Sequence, residues 1–234
     1  MFPPNVECDP KFTDRAEIFK DRMHAGRMLA ERLADFSKKQ QSIVVAIPSG
    51  GVPVGYAIAM QLQIPLDVML VRKIPVPWET EAGFGSVTFD GSTFLNDSLV
   101  KNLGLSNVQI SESIDKAKKG LQERTQKFAA IKKEGLLTSI RGRAVILVDD
   151  GLASGYTMIA SVDSIKKREA RKVVVAVPTG SIDAINLVSP KVDKLLCLNV
   201  RSGYRYAVAD AYKEWYDVPE EEALKLLRAL QAKE

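Results

Sequence analysis

The sequence predicts an α/β protein: a doubly wound, mostly parallel five-stranded sheet with a β-hairpin flap and a C-terminal helix. Three observations carry this prediction. Strand-like and helix-like patterns alternate along most of the chain. The strands read as continuous aliphatic runs, the mark of strands covered on both faces. One of those runs, Val145 to Val148, ends in Asp149 and Asp150 and is followed by a loop of small and hydroxylated residues before the next helix. Strand, helix, strand repeated in this way implies right-handed crossovers and helices on both faces of the sheet.

Taken in order, Asp14 to Phe36 carries Ile18, Phe19, Met23, Met28, Leu29 and Leu33 at near-helical spacing and is expected to be one amphipathic helix. Ile43 to Ile47 is the first strand, Pro53 to Leu62 a helix, and Leu66 to Val71 the second strand. The alternation then breaks between Pro75 and Arg143. Within this insertion Ser86–Phe89 and Thr93–Leu95 flank Asp90-Gly91, the composition of a tight hairpin turn. A long charged helix, about Asn107 to Lys133, leads back to the third strand, Ala144 to Val148. A helix from about Gly155 to Lys167, a strand at Val173–Val177, a helix at Ser181–Val188 and a strand at Val192–Val200 complete the sheet. Pro219, three glutamates, and Leu224, Leu227 and Leu230 mark a terminal amphipathic helix with acids in its first turn.

The chain has 234 residues, 46% of them hydrophobic, enough for one large domain spanning residues 1–234 with the flap at about 75–143. The net charge of +4 fits an anionic small ligand and does not demand nucleic acid. The cluster Lys166, Lys167, Arg168, Arg171 and Lys172 reads as the solvated end of a helix. With two cysteines, Cys8 and Cys197, and no Cys-x-x-Cys, a reducing cytoplasmic setting is expected. No apolar run approaches the roughly 18 residues of a membrane span, and the N-terminus lacks the pattern of a signal peptide. The flap and exposed helices suit a dimer or larger homo-oligomer.

The chemistry concentrates at strand ends, where ligands of such sheets bind. Carboxylates at Asp149 and Asp150 can hold hydroxyls or a magnesium ion. The loop Gly151-Leu152-Ala153-Ser154-Gly155-Tyr156-Thr157, at a helix start, can present N–H groups and hydroxyls to a phosphate. It is neither a Walker A loop, lacking Gly-Lys-Ser/Thr, nor a dinucleotide fingerprint, lacking Gly-x-Gly-x-x-Gly. After the first strand, Pro48-Ser49-Gly50-Gly51-Val52-Pro53 forms a second anion-receptive turn. Arg72 and Lys73, placed at the end of the second strand, match a multiply charged anion. His24, the one histidine, lies in the N-terminal helix far from these loops, so serine–histidine, cysteine–histidine and zinc schemes do not apply.

Together these loops resemble the type I phosphoribosyltransferase family, whose fold is Rossmann-like with a hood over the acceptor. V-I-L-V-D-D-G-L-A-S-G-Y-T-M resembles the family's signature for 5-phosphoribosyl 1-pyrophosphate, P-S-G-G its pyrophosphate loop, and the region from Pro75 its mobile loop. Asp21 to Ala30, I-P-S-G-G-V-P-V-G and V-R-K-I are similar to a bacterial and archaeal subgroup, so the likeness runs from about Asp14 to Leu227. The resemblance implies transfer of the phosphoribosyl group to a nitrogenous base with release of pyrophosphate, as part of nucleotide metabolism and with Mg²⁺ as cofactor. It implies that Asp149 and Asp150 face the ribose hydroxyls, directly or through water and Mg²⁺. Gly151 to Thr157 would wrap the 5-phosphate, and Ser49, Gly50 and Gly51, around a strained or cis peptide, would bind pyrophosphate with added charge from Arg72 and Lys73. The stretch Tyr204 to Tyr206, with Val208 and Asp210, takes the place of the hood, so that hood and terminal helix span about 200–234. Two departures stand out: Ser49 replaces an arginine usual in the subgroup, and Ala153 stands where enzymes for 6-oxopurines place a carboxylate, which turns the expectation away from hypoxanthine and guanine.

One other class remains open on the sequence, and a second is excluded by it. A ligand-sensing regulator on the same fold would bind the sugar phosphate and meet nucleic acid with its basic face, yet no helix-turn-helix or winged segment accompanies the core. A phospho-acceptor receiver would need an acidic pair after the first strand, where this chain has Pro-Ser-Gly-Gly.

Overall fold

The computed structural model describes residues 2–37, 41–131, 136–138, 140–203 and 205–231. Its main sheet is parallel and has six strands: β1 (Val6–Cys8), β2 (Ser42–Ala46), β3 (Leu66–Val68), β7 (Ala144–Val148), β8 (Lys172–Ser181) and β9 (Lys194–Arg201). A smaller antiparallel sheet holds β4 (Val71–Val76), β5 (Glu79–Thr88) and β6 (Thr93–Leu95). The helices are α1 (Arg22–Arg32), α2 (Gly51–Leu62), α3 (Asp97–Asn102), α4 (Asn107–Ala129), α5 (Tyr156–Lys167), α6 (Ile182–Val188) and α7 (Glu220–Gln231). Among the described residues, no helix is long and apolar enough to cross a membrane.

The main sheet runs β1-β9-β8-β7-β2-β3. The order reverses between β2 and β7, which pair in register from Ser42↔Ala144 to Ala46↔Val148. Both strands are wholly buried, as continuous β-branched and aliphatic runs dictate. Each Val, Ile or Leu buried there contributes about 1.5–3 kcal/mol of transfer free energy, so the pairing that aligns the loops at 48–50 and 149–155 is anchored in the core. Ile47 extends it by donating its N–H to Val148 O at 2.9 Å.

The sixth strand was not expected. β1 is short and lies among prolines and acids, so its strand character comes from pairing with β9 from Val6↔Leu195 to Cys8↔Cys197. The predicted helix over Asp14–Phe36 begins only at Arg22. Asp21 caps it, its carboxylate accepting the His24 N–H at 2.6 Å. Upstream, Asp14 and Glu17 have positive φ. Asp14 N donates to Val200 O, Glu17 N to Asp210 O and Phe19 N to Ala211 O, so tertiary backbone bonds replace the local helical ones. The end of the predicted α4, Lys132–Lys133, lies outside the described residues.

The second strand is shorter than expected and the flap larger. The parallel strand stops at Val68, and the chain crosses into β4, giving three antiparallel strands instead of a two-stranded hairpin. The small sheet has its own apolar cluster of Ile74, Val76, Phe84, Val87 and Ala117, backed by residues of α3 and α4. Gly91 takes φ +84° in the predicted turn. Asp90 ties that turn to α5: its carboxylate accepts from Ser164 Oγ at 2.6 Å and Arg168 Nη2 at 3.0 Å. Lys167 Nζ reaches Ser92 Oγ at 3.1 Å, so two members of the solvated basic cluster also hold the flap.

Candidate functional site

The pairing of β2 with β7 brings two loops into contact. A Cβ added to Gly50 would lie 2.0 Å from Asp150 Oδ2, and one on Gly51 would lie 2.9 Å from Val148 O. Only glycine lets the Ser49-Gly50-Gly51 turn close onto the acidic pair. The Pro48–Ser49 peptide is cis. Gly51 begins α2, so the positive end of that helix faces the same space.

Asp149 accepts the Asp150 N–H at 2.9 Å. Protein surrounds its carboxyl, although the residue keeps some solvent contact, and this desolvation, reinforced by the charge of Asp150, pushes its pKa well above the ordinary carboxylate value. Asp150 is held differently. Arg22 Nε donates to its Oδ2 at 2.8 Å, with only 5% of the arginine side chain exposed. Arg22 Nη1 donates to Tyr216 O at 2.8 Å, and its guanidinium carbon lies 3.9 Å from the centroid of Trp215. The Tyr212 hydroxyl donates to Asp150 O at 2.6 Å. Burial, then the negative charge of Asp150, raises the Tyr212 pKa, keeping the phenol a donor.

The loop after the acids is clamped rather than free. Leu152 pairs with Gly180 beyond the main register of β8: Leu152 N donates to Thr179 O at 2.9 Å and Ser181 N to Leu152 O at 3.0 Å. Ser181 Oγ donates to Ala153 O at 2.8 Å. Gly155 then turns the chain into α5 with φ +80°, a conformation that suits glycine. The first turn of α5, from Tyr156 and Thr157, presents N–H groups that have no partner within the helix. Ala153 and Ser154 are exposed at the mouth of this loop. A helix N-terminus of this kind is where anions commonly bind, and here two carboxylates stand beside it.

The other expected residues divide. Val208 packs on Gly151, where an added Cβ would come within 2.4 Å of its Cγ1. Tyr206 sets its hydroxyl beside Thr179 without a hydrogen bond of good geometry, and burial raises its pKa. Asp210 is exposed, its backbone carbonyl binding Glu17 N. Tyr204 lies outside the described residues. Arg72 and Lys73 are not at the carboxyl edge of the parallel sheet: both lie on β4, exposed, because β3 ends early. Arg72 Nη1 donates to Gly120 O on α4 at 2.9 Å, and Lys73 packs over Gly83. His24 accepts the Lys20 N–H through Nδ1, a local structural role.

Two cations at the site went unassigned from sequence. Arg22 was placed in mid-helix, whereas it opens α1 directly after the cap. Arg124 reaches the site from α4, its Nη2 donating to Ser49 Oγ at 2.9 Å. No local pattern marks a lone arginine among many charges on a long helix; only the packing of α4 reveals it.

A paired carboxylate, a glycine turn and a helix N-terminus gather where a doubly wound sheet reverses, the place at which open α/β sheets bind their ligands. Residues 90–202 match the phosphoribosyl transferase domain, and a Mycobacterium tuberculosis protein named "Putative phosphoribosyl transferase" is 36% identical over 211 residues, 90% of this chain. The chain belongs to the phosphoribosyltransferase family. It spans about half the length of that curated relative, 46%. The crystal structure of the protein TT1426 from Thermus thermophilus superposes with a TM-score of 0.75 at 30% identity, over 91% of this chain and 98% of that one. A Staphylococcus aureus hypoxanthine phosphoribosyltransferase shares the fold, with a TM-score of 0.50 at 11% identity over 88% of each chain.

Proposed function

We propose that the protein transfers the 5-phosphoribosyl group from 5-phosphoribosyl 1-pyrophosphate to a nitrogenous base and releases pyrophosphate. The observation that carries this reading is the contact of the Ser49–Gly51 turn with Asp149 and Asp150, beside the start of α5. In this reading the N–H groups of Gly151 and of Ala153 to Thr157, with the Ser154 and Thr157 hydroxyls, hold the 5-phosphate, while the Leu152 N–H, expected from the sequence to join them, stays bonded to Thr179 O. Asp149 and Asp150 accept the ribose hydroxyls, and Arg22 keeps Asp150 in place. Ser49, Gly50 and Gly51 receive the pyrophosphate, while Arg72 and Lys73 add positive potential from β4. Val208, Tyr206 and Asp210 border the acceptor.

The bond from C1 of the ribose to the pyrophosphate oxygen breaks as the base nitrogen bonds to C1 and gives up its proton to water. The sugar gains positive character and the departing oxygen keeps the electron pair. Fixed N–H dipoles and cations around the leaving group stabilise that charge best in a site that excludes water.

The donor set fits a magnesium ion that arrives with the substrate. Among the described residues no cluster of three or more metal-ligating side chains exists, and Mg²⁺ commonly takes one or two carboxylates, completing its shell with water and phosphate oxygens. Asp149 and Asp150 would hold it, through water or the ribose hydroxyls. Bound there, it would neutralise charge on the pyrophosphate. Ala153 in the phosphate loop, in place of a carboxylate, favours acceptors other than hypoxanthine and guanine.

Pyrophosphate release measured with Mg²⁺, the activated sugar and a panel of bases tests the proposal. Turnover on at least one base is expected, and its loss in Asp149→Asn/Asp150→Asn with the fold retained. Binding of the sugar phosphate without turnover on any base would refute the transferase reading in favour of a sensor.

A further inference from the structure

Ser49 occupies the position where an arginine was expected, and the fold brings a different arginine to it. Arg124 donates from Nη2 to Ser49 Oγ at 2.9 Å and from Nε to Glu220 Oε2 at 3.1 Å. The other Glu220 oxygen accepts from Lys127 Nζ at 3.0 Å. Arg124 and Lys127 lie three residues apart on one face of α4. Glu220 opens α7 and brings its carboxylate between them. The Arg124 and Glu220 side chains are 26% and 23% exposed, so a ligand arriving from solvent can reach both. This group adjoins the start of α2 and the turn that touches Asp150.

We propose that Arg124, supported by Lys127, is the cation that binds the leaving pyrophosphate, and that Glu220 is a built-in placeholder which the pyrophosphate displaces. The proposal rests on the phosphoribosyl-transfer reading of the same site and adds a residue and a selectivity device to it. A guanidinium offers a planar fork of donors to oxyanions. In the free protein one edge of that fork is satisfied by Glu220, which keeps the long side chain extended toward Ser49. Substrate therefore meets an arginine already oriented, and less ordering cost falls on binding. The carboxylate also sets a threshold. A weakly charged anion competes poorly with Glu220, whereas pyrophosphate carries enough charge to take both Arg124 and Lys127. Arg72, bonded to Gly120 O one turn upstream of Arg124, holds α4 against β4 and so acts through the helix as a positioning residue.

Titration calorimetry with 5-phosphoribosyl 1-pyrophosphate, pyrophosphate and ribose 5-phosphate, each with Mg²⁺, separates the roles. Arg124→Met is expected to weaken the two pyrophosphate-bearing ligands by about tenfold or more while leaving ribose 5-phosphate within about twofold. Arg124→Lys should fall between, since it keeps the charge and loses the fork; it carries the comparison if Arg124→Met fails to fold. Glu220→Gln should tighten pyrophosphate by about threefold or more. Lys119→Ala, an equal charge change elsewhere on α4, should leave the selectivity intact. Equal losses for all three ligands in the Arg124 variants would overturn the proposal, as would Glu220→Gln weakening pyrophosphate. Wild-type binding of ribose 5-phosphate alone would refute this inference and leave the phosphate loop standing. Binding of none of the three would refute both readings.

Discussion

Replacing Arg22 by methionine isolates the contact that orients Asp150. Methionine keeps an apolar stem against Trp215 and removes the guanidinium, which lies 2.8 Å from Asp150 Oδ2 and 3.9 Å from the Trp215 centroid. Breaking a buried pair by removing one partner costs about 3–5 kcal/mol, because the remaining charge is left uncompensated. Asp150 retains 16% exposure, so water reaches it and the loss should fall near 3 kcal/mol, at the low end of that range. Asp150→Asn in the Arg22→Met background removes the stranded charge and should recover part of the loss. The coupling energy from the four proteins should be about 1.5–3 kcal/mol, the value of a charge-assisted hydrogen bond. Urea unfolding followed by far-ultraviolet circular dichroism reads it, with unchanged slopes confirming comparable transitions. A coupling energy below about 0.5 kcal/mol would show that Arg22 and Asp150 are neighbours without energetic linkage, and Arg22 would lose its positioning role.

Three further outcomes follow from the same geometry. Burial and the charge of Asp150 raise the Asp149 pKa, so stability is present below the unfolded carboxylate value and lost as pH rises through the raised one. Asp149→Asn should therefore raise the melting temperature at neutral pH, with the gain shrinking toward acid; a pH-independent change would contradict this. Each tenfold difference in proton affinity between folded and unfolded Asp149 corresponds to about 1.4 kcal/mol. Gly155→Val forces a β-branched residue to φ +80° with its Cβ about 3.2 Å from Val188 Cγ2. Ribose 5-phosphate affinity should fall by about tenfold or more, and unaltered affinity would remove the loop from phosphate binding. At Asp90, burial favours protonation, but hydrogen bonds from Ser164, Thr88 and Ser92 outweigh it and hold the carboxyl well below the usual range. That stability is present above the unfolded carboxylate pKa and lost as pH falls through the depressed one. Asp90→Asn should cost about 1.5–3 kcal/mol at neutral pH and flatten the acid limb of the stability profile. Equal slopes in the two proteins would refute the clamp between flap and α5.

The central half of the site was legible because local signals and tertiary structure agree there. β2 and β7 are aliphatic runs that can only be buried, and their shared register follows from the order of a doubly wound sheet, so the loops at Ser49 and Asp149 meet. Elsewhere long-range partners overruled the local pattern. The apolar spacing at Ile18 and Phe19 looks helical, but Phe19 packs on Tyr212, and its backbone bonds to Ala211 O and Lys213 N. β1 has too few residues to announce itself and exists through β9. Arg72 and Lys73 follow an apolar run that continues past Val68; Met69 N still bonds to Ala46 O, but Leu70 O accepts from Phe89 N, and the chain delivers both cations to β4. Arg22 and Arg124 escaped notice for one reason: their partners lie 128 and 75 residues away along the chain.

The central claim is that the acidic pair and the loop behind it hold a phosphoribosyl group. A crystal structure with ribose 5-phosphate bound tests it most directly. The phosphate is expected over the N–H groups of Ala153 to Thr157, with the ribose hydroxyls turned toward Asp149 and Asp150. A phosphate seated anywhere else on the protein would contradict it.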